Sequence, residues 1–314
     1  MGKANNYDDY IDSRHSSKPC LGYCMLIFSA LALSVGFLFL ILFIGLDDKA
    51  KVKETPSAMY QKVRQLAKVG QSDHNKISKK NPVAILMYHY IREVEDKTSD
   101  ELGYSLSVSP TEFEKQMNYL SKNDFDVITF KQFLQGEIGE RAVILTFDDG
   151  YEDFYTSARP ILEKYQFPAT VYMITSRIDQ GGYLTKNEIK KLSDNPLFSI
   201  GSHSATHPNF FTASQENQIK EIIQSQTSIR DITGAKPADF CFPSGQYSPD
   251  SLKILAQYNF KTAVTTEERL AFFSDNHLAL PRVRVQGSLG LDGFVEKLSD
   301  FFKSYEASAT SPGI

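Results

Sequence analysis

Hydrophobic and polar positions divide this chain into distinct stretches. Residues 1–19 are polar and show no periodicity. Residues 20–46, CLGYCMLIFSALALSVGFLFLILFIGL, contain no charged side chain. A helix of that length would extend about 40 Å at ~1.5 Å per residue, beyond the ~30 Å hydrocarbon core of a bilayer. The expectation is an uncleaved transmembrane anchor; a buried core helix is the competing reading. Residues 47–81 are rich in Lys, Gln and Ser and read as a linker, with SAMYQKVRQLAKV as a short amphipathic helix within it. From Pro82 to about Phe302 the pattern becomes globular. Short apolar runs (VAILMY at 83, DVITF at 126, AVILTF at 142, ATVYMI at 169, FSIGS at 198, DFCF at 239, KTAVT at 261, LALPRVRV at 278) alternate with helical patterns. Near-continuous apolar runs suit parallel strands covered on both faces. SPTEFEKQMNYL offers Ser109 as N-cap and Pro110 in the first turn, TKNE at 185–188 is a capping box, and QIKEIIQSQTSIRDITG ends at a glycine suited to a C-cap. Repeated strand–helix units over 82–303 predict an α/β fold, a distorted (β/α) barrel, with an open doubly wound sheet as the alternative. The tail 304–314 reads as disordered.

Composition narrows the function classes. The formal charge of −4 gives no electrostatic footprint for nucleic acid. Cys20, Cys24 and Cys241 do not make a disulfide framework. Arg14 and Lys18 precede the apolar run and Lys49, Lys51, Lys53, Lys62 and Arg64 follow it, which leans towards a cytoplasmic C-terminal side. Long C-terminal domains translocate largely regardless of such charge.

Polar residues gather where the predicted strands end. VAILMY runs into His89, AVILTF into Asp148, Asp149 and Gly150, FSIGS into His203 and then His207, and DFCF into Pro243, Ser244 and Gly245. Taken singly, an Asp-Asp-Gly is usually a turn and a His-x-x-x-His loop is usually satisfied by ordinary hydrogen bonds. Barrels, however, carry their active sites at the C-terminal ends of their strands, so the three strand ends that carry His or Asp fall on one rim. Two neutral imidazoles and a carboxylate give the three-ligand pattern of catalytic zinc. One of the adjacent carboxylates would ligate while the other takes a proton from water, and His89 is placed to protonate a leaving amine.

TFDDG at 146–150 and HSATHP at 203–208 resemble the first two motifs of the polysaccharide deacetylases, carbohydrate esterase family four. The resemblance covers about 82–303. It implies a distorted barrel that removes acetyl groups from N-acetylated sugars with a divalent metal, zinc foremost. By position, Asp148 resembles the catalytic base and Asp149, His203 and His207 the metal ligands. The third motif departs from the family's usual Arg-Pro-Pro-Tyr-Gly: here it is CFPSG, with Cys241 at the arginine and Ser244 at the aromatic position. The Ser244 backbone N–H, with Pro243 and Tyr88, is the expected oxyanion and substrate wall. LMYHYI at 86–91 resembles the first strand of the circularly permuted branch, where an early histidine serves as the acid; this supports His89. Arg282 or Arg284 is the expected substitute for the missing base-orienting arginine, and a structural ion pair is the other reading of either.

These expectations combine into a single-pass membrane protein whose extracytoplasmic domain deacetylates N-acetylglucosamine residues of a cell-surface polysaccharide, peptidoglycan or an exported glucosamine polymer. An O-acetyl polysaccharide esterase and a non-catalytic wall-binding module are the alternatives.

Overall fold

The computed structural model describes residues 77–94 and 101–310. The expected anchor (20–46), the N-terminal tail and the linker up to residue 76 lie outside the described residues. Among the described residues, no helix is long and apolar enough to cross a membrane.

The fold begins with β1 (Val83–Tyr88), followed by β2 (Tyr90–Ile91), α1 (Glu101–Leu106), β3 (Ser107–Val108), α2 (Pro110–Lys122), β4 (Asp126–Val127), α3 (Phe130–Gln135) and β5 (Ala142–Phe147). It continues through a π-helical turn at Phe154–Ala158, α4 (Arg159–Tyr165), β6 (Ala169–Met173), α5 (Lys186–Ser193), β7 (Phe198–Ser202), α6 (Gln215–Thr233) and β8 (Asp239–Cys241). The last elements are α7 (Pro249–Gln257), β9 (Thr262–Val264), β10 (Val283–Arg284) and α8 (Gly290–Thr310). The main sheet has the order β10-β1-β5-β6-β7-β8-β9, with β4 beside the start of β5. Its pairings are parallel, and β1 and β5 run in register from Val83↔Ala142 to Tyr88↔Phe147. A lone parallel bridge, Val264↔Leu280, draws the β9 edge towards the segment that leads into β10. The sheet is therefore a curved half-barrel, the parallel α/β architecture expected from the apolar runs.

Every residue of β1 and β5 is buried, because helices cover one face and the barrel interior the other. On α2, Phe113, Met117 and Leu120 form the stripe that meets the sheet, and the Ser109 hydroxyl accepts the Glu112 N–H at the helix start. Thr185 caps α5 through the expected capping box with Glu188, and Gly234 ends α6 at φ +86°. Two expectations change. DVITF is a strand only at Asp126–Val127, because Thr129 forms a capping box with Gln132 and starts α3 at Phe130. The segment expected to be disordered from residue 304 continues α8 as far as Thr310.

Candidate active site

The C-terminal ends of β1, β5, β7 and β8 converge. Asp148 follows β5, and its N–H is held by the Tyr88 carbonyl at the end of β1 (3.0 Å). The chain then turns sharply, with Asp149 at φ +70° and Gly150 at φ +75°. At this φ the Gly150 backbone favours glycine, and a Cβ there would also force the Met173 thioether, 2.5 Å away at Cε, to shift. After β7, Ser204 and His207 also adopt left-handed backbones, both at φ +65°. Non-glycine residues in this region cost of order 1–3 kcal/mol each, and such strain persists only where the surroundings enforce it.

The surroundings of the histidine loop do so. Glu221 on α6 accepts the Ala205 N–H (2.9 Å) and the Thr206 N–H (2.7 Å) on one oxygen and the Thr206 hydroxyl (2.7 Å) on the other. Ser225 on the same helix shares a hydrogen bond with Ser202 (2.6 Å), and Ser204 Oγ accepts the His207 N–H (2.9 Å).

The loop brings His203 and His207 together with ring centroids 4.7 Å apart. Asp149 Oδ1 is 3.4 Å from His203 Nε2 and 3.9 Å from His207 Nε2. His203 Nδ1 lies 2.7 Å from the Cys241 carbonyl oxygen. A carbonyl only accepts, so Nδ1 donates to it, which leaves Nε2 as the ring nitrogen that faces Asp149 and would serve as the ligand atom for a cation. One carboxylate oxygen and two imidazole nitrogens thus sit within 4.8 Å of one another, a donor set that fits a divalent cation.

Asp148 lies beside this triad, with a carboxylate oxygen within 4.8 Å of a His203 ring nitrogen, but its main partner is an arginine. Both its oxygens are engaged by Arg282, Nη1 to Oδ1 and Nη2 to Oδ2, each at 2.7 Å. Arg282 also donates from Nε to the Thr265 carbonyl (2.8 Å), from Nη1 to Thr146 Oγ1 (3.2 Å) and from Nη2 to Cys241 Sγ (3.3 Å), so all five N–H groups are used. Burial alone would push the Asp148 carboxyl up; the Arg282 guanidinium outweighs it and holds the group well below the usual carboxylate range. Asp148 is therefore ionised at working pH. His89 completes the cluster, its Nε2 3.9 Å from Asp148 Oδ2. Burial lowers its pKa, against the opposing pull of Asp148 and Asp149.

Comparison with known proteins gives this cluster its context. The family model for polysaccharide deacetylases matches residues 135–263. YxkH of Bacillus subtilis, named as a polysaccharide deacetylase, is 31% identical over 223 residues, 69% of this chain and 76% of that protein. The chain belongs to the polysaccharide deacetylase family. The poly-β-1,6-N-acetyl-D-glucosamine N-deacetylase of Staphylococcus aureus is 26% identical over 250 residues, 70% of this chain and 86% of that enzyme. The Streptococcus pyogenes deacetylase PplD, solved with acetate, superimposes with a TM-score of 0.65 at 26% identity, covering 70% of this chain and 99% of that one.

Within this deacetylase fold the altered third motif has a structural counterpart. Cys241 stands where the family usually has arginine, and Arg282, at the opposite sheet edge just before β10, reaches its sulfur and grips Asp148 from there. Of the two expected arginines, Arg282 meets Asp148. Arg284 enters only as a charge that lowers the His89 pKa. Ser244 occupies the turn Pro243–Gly245 after β8 with φ +55°; Pro243 is buried and Ser244 exposed. Tyr88 does not join the site. Its ring is fully buried between Phe113 and Phe147, and its hydroxyl donates to Gln116 Oε1 (2.8 Å). As the last residue of a strand buried on both faces, it points into the helix layer while its neighbour His89 faces the rim.

Glu221 and Cys241 were not singled out as site residues from the sequence, yet both support the site. A signal for Glu221 was present. The buried stripe of α6 carries Gln218, Glu221, Ser225 and Gln226 among Ile222 and Ile229, polar groups where apolar ones are expected.

Proposed function

We propose that this deacetylase removes N-acetyl groups from N-acetylglucosamine residues of a cell-surface polysaccharide, with one divalent cation, zinc by its donor set, held by Asp149, His203 and His207. The observation that carries this reading is the pairing of that triad with Asp148, a carboxylate kept ionised and aimed by the Arg282 fork. The likeness to the Staphylococcus aureus enzyme supports an exported poly-N-acetylglucosamine as the polymer.

A cation bound there supplies Lewis acidity, lowering the pKa of water and polarising the acyl oxygen. Asp148 accepts a proton from the attacking water. The fork that orients it also makes it a weaker base, so position rather than basicity is its contribution. The Ser244 backbone N–H, in the turn after β8, is the donor assigned to the developing oxyanion. The amide C–N bond breaks, acetate is formed, and His89 delivers a proton to the departing sugar amine. His89 in this role corresponds to the circularly permuted branch.

Residues 20–46 hold the enzyme at the cell membrane with the domain outside, where an exported polymer is met. Protease added to intact protoplasts should then remove the domain, and its full protection would place it inside. For the chemistry, the test is acetate release from N-acetylglucosamine oligomers by chelator-treated protein with and without added zinc. Release with zinc, lost in Asp148→Asn, is expected. Equal release without any divalent cation would overturn the reading.

A further inference from the structure

We propose that a groove beside the metal triad is a subsite for a neighbouring pyranose of the same polymer strand, with Tyr183 as the ring on which it stacks; this rests on the function proposed above. The groove has a volume of about 580 Å³ and is lined by Tyr90, Arg92, Tyr151, Asp153 and Tyr183, among others. It adjoins the reacting centre directly. Tyr151 directly follows the Asp-Asp-Gly turn that carries Asp149, and its ring packs on that of Tyr90. The rings form a contiguous row: Tyr90 and Tyr151 are stacked with centroids 3.7 Å apart, Tyr151 and Tyr183 are tilted at 5.1 Å, and the guanidinium groups of Arg92 and Arg177 lie 3.7 Å and 5.7 Å over Tyr90 and Tyr183.

Core packing does not account for these rings. None of the three belongs to the apolar clusters of the core among the described residues. Each is only partly buried, beside two exposed glycines, Gly181 and Gly182, whose absent Cβ atoms would meet nothing within 4 Å. The wall is also preformed. Glu152 N–H donates to the Gly182 carbonyl (2.9 Å), Leu184 N–H to Gly150 (2.9 Å) and Tyr183 N–H to Gln180 (3.1 Å), tying the loop before α5 to the turn that carries Asp149. Rigid, amphipathic rings lose little entropy on contact and offer an apolar face and a hydroxyl together. A pyranose has the matching surface, one C–H face and a rim of hydroxyls. Arg92, Glu152 and Asp153 along the same groove provide charged partners for that rim.

The test compares wild type, Tyr183→Ala and Tyr183→Phe on an N-acetylglucosamine pentamer and on a small aryl acetate ester that is too short to reach the groove. Tyr183→Ala should raise KM for the pentamer about tenfold while kcat and ester cleavage stay unchanged, and Tyr183→Phe should keep the wild-type KM. An unchanged pentamer KM in the alanine variant, or an equal loss on the ester, would overturn the subsite while leaving the deacetylase function standing. If wild type cleaves the ester but not the pentamer, the proposed function fails and direct titration of the pentamer decides the subsite: binding weakened in Tyr183→Ala sustains it, and binding that is absent or the same in both proteins ends it.

Discussion

Arg282 and Asp148 form a buried, bidentate ion pair in which neither partner has a spare hydrogen-bonding group facing an apolar surface. Removing one member of such a pair leaves a desolvated charge and costs about 3–5 kcal/mol. Arg282→Ala is therefore expected to lower both stability and kcat. Arg282→Lys separates the two effects: it keeps the charge and loses the planar fork, so stability should largely return while kcat remains reduced by about 10²-fold. Thermal melting alongside acetate release checks this, and a lysine variant with full kcat would show that charge alone suffices. His89 is tested through the leaving group. An amine needs a proton to depart and a good aryloxide does not. His89→Ala should thus slow N-acetylglucosamine turnover by about 10²-fold and aryl acetate turnover by far less. Equal losses on both substrates would assign the acid elsewhere. His277 is not near to hand, being packed on Phe133 and Phe273 with its Nε2 on the Phe273 carbonyl.

At the scale of elements, α6 is what gives the histidine loop its shape. One carboxylate, Glu221, fixes two backbone N–H groups and a hydroxyl of a loop whose His207 has a left-handed backbone. Glu221→Ala is expected to weaken zinc binding by about 10- to 100-fold, the usual scale for groups that hold ligands in place, and to destabilise the fold by about 1–3 kcal/mol. Glu221→Gln, which retains an acceptor, should recover part of the affinity. Zinc titration of the three proteins checks this; unchanged affinity in the alanine variant would mean that the loop holds itself. Elements also set what could be read without coordinates. VAILMY and AVILTF were legible as strands because they are almost wholly apolar, and His89 and Asp148 because each directly follows such a run; His203 follows the shorter, more mixed strand FSIGS and was legible from its pairing with His207. DVITF misled because Thr129 serves two patterns at once, a β-branched strand residue and an N-cap. The choice between Arg282 and Arg284 depends on the register of β10 against β1, Leu86↔Val283 and Met87↔Arg284, a long-range pairing that no local pattern encodes.

Across the whole molecule, the parallel sheet places its two ends under different demands. The C-terminal rim gathers charged groups that compensate one another, Asp148 with Arg282 above all. Asp239, at the opposite end of β8, is pushed up to about 6 by burial, offset in part by a 2.6 Å hydrogen bond from the Thr262 hydroxyl. Asp153 is likewise raised to about 6 by burial. Both folded values exceed the unfolded value near 3.8. A group of this kind contributes stability that is fully present below its unfolded pKa and is lost as pH rises through its folded pKa. As pH rises from about 4 through 6 these two carboxyls therefore make the fold progressively less stable, and above that range they add no further slope. Asp148 is depressed far below that window and adds no slope within it. Asp239→Asn replaces the carboxyl by a neutral group of the same shape that can still accept from Thr262. Its melting temperature should match wild type at pH 4 and exceed it at pH 8 by up to about 6–12 °C, the scale of the roughly 3 kcal/mol that a rise from 3.8 to about 6 represents in a domain of this size. The measurement belongs on chelator-treated protein, so that pH-dependent metal uptake does not add its own slope. A gap between the two proteins that is constant from pH 4 to pH 8 would mean that Asp239 does not change its charge there.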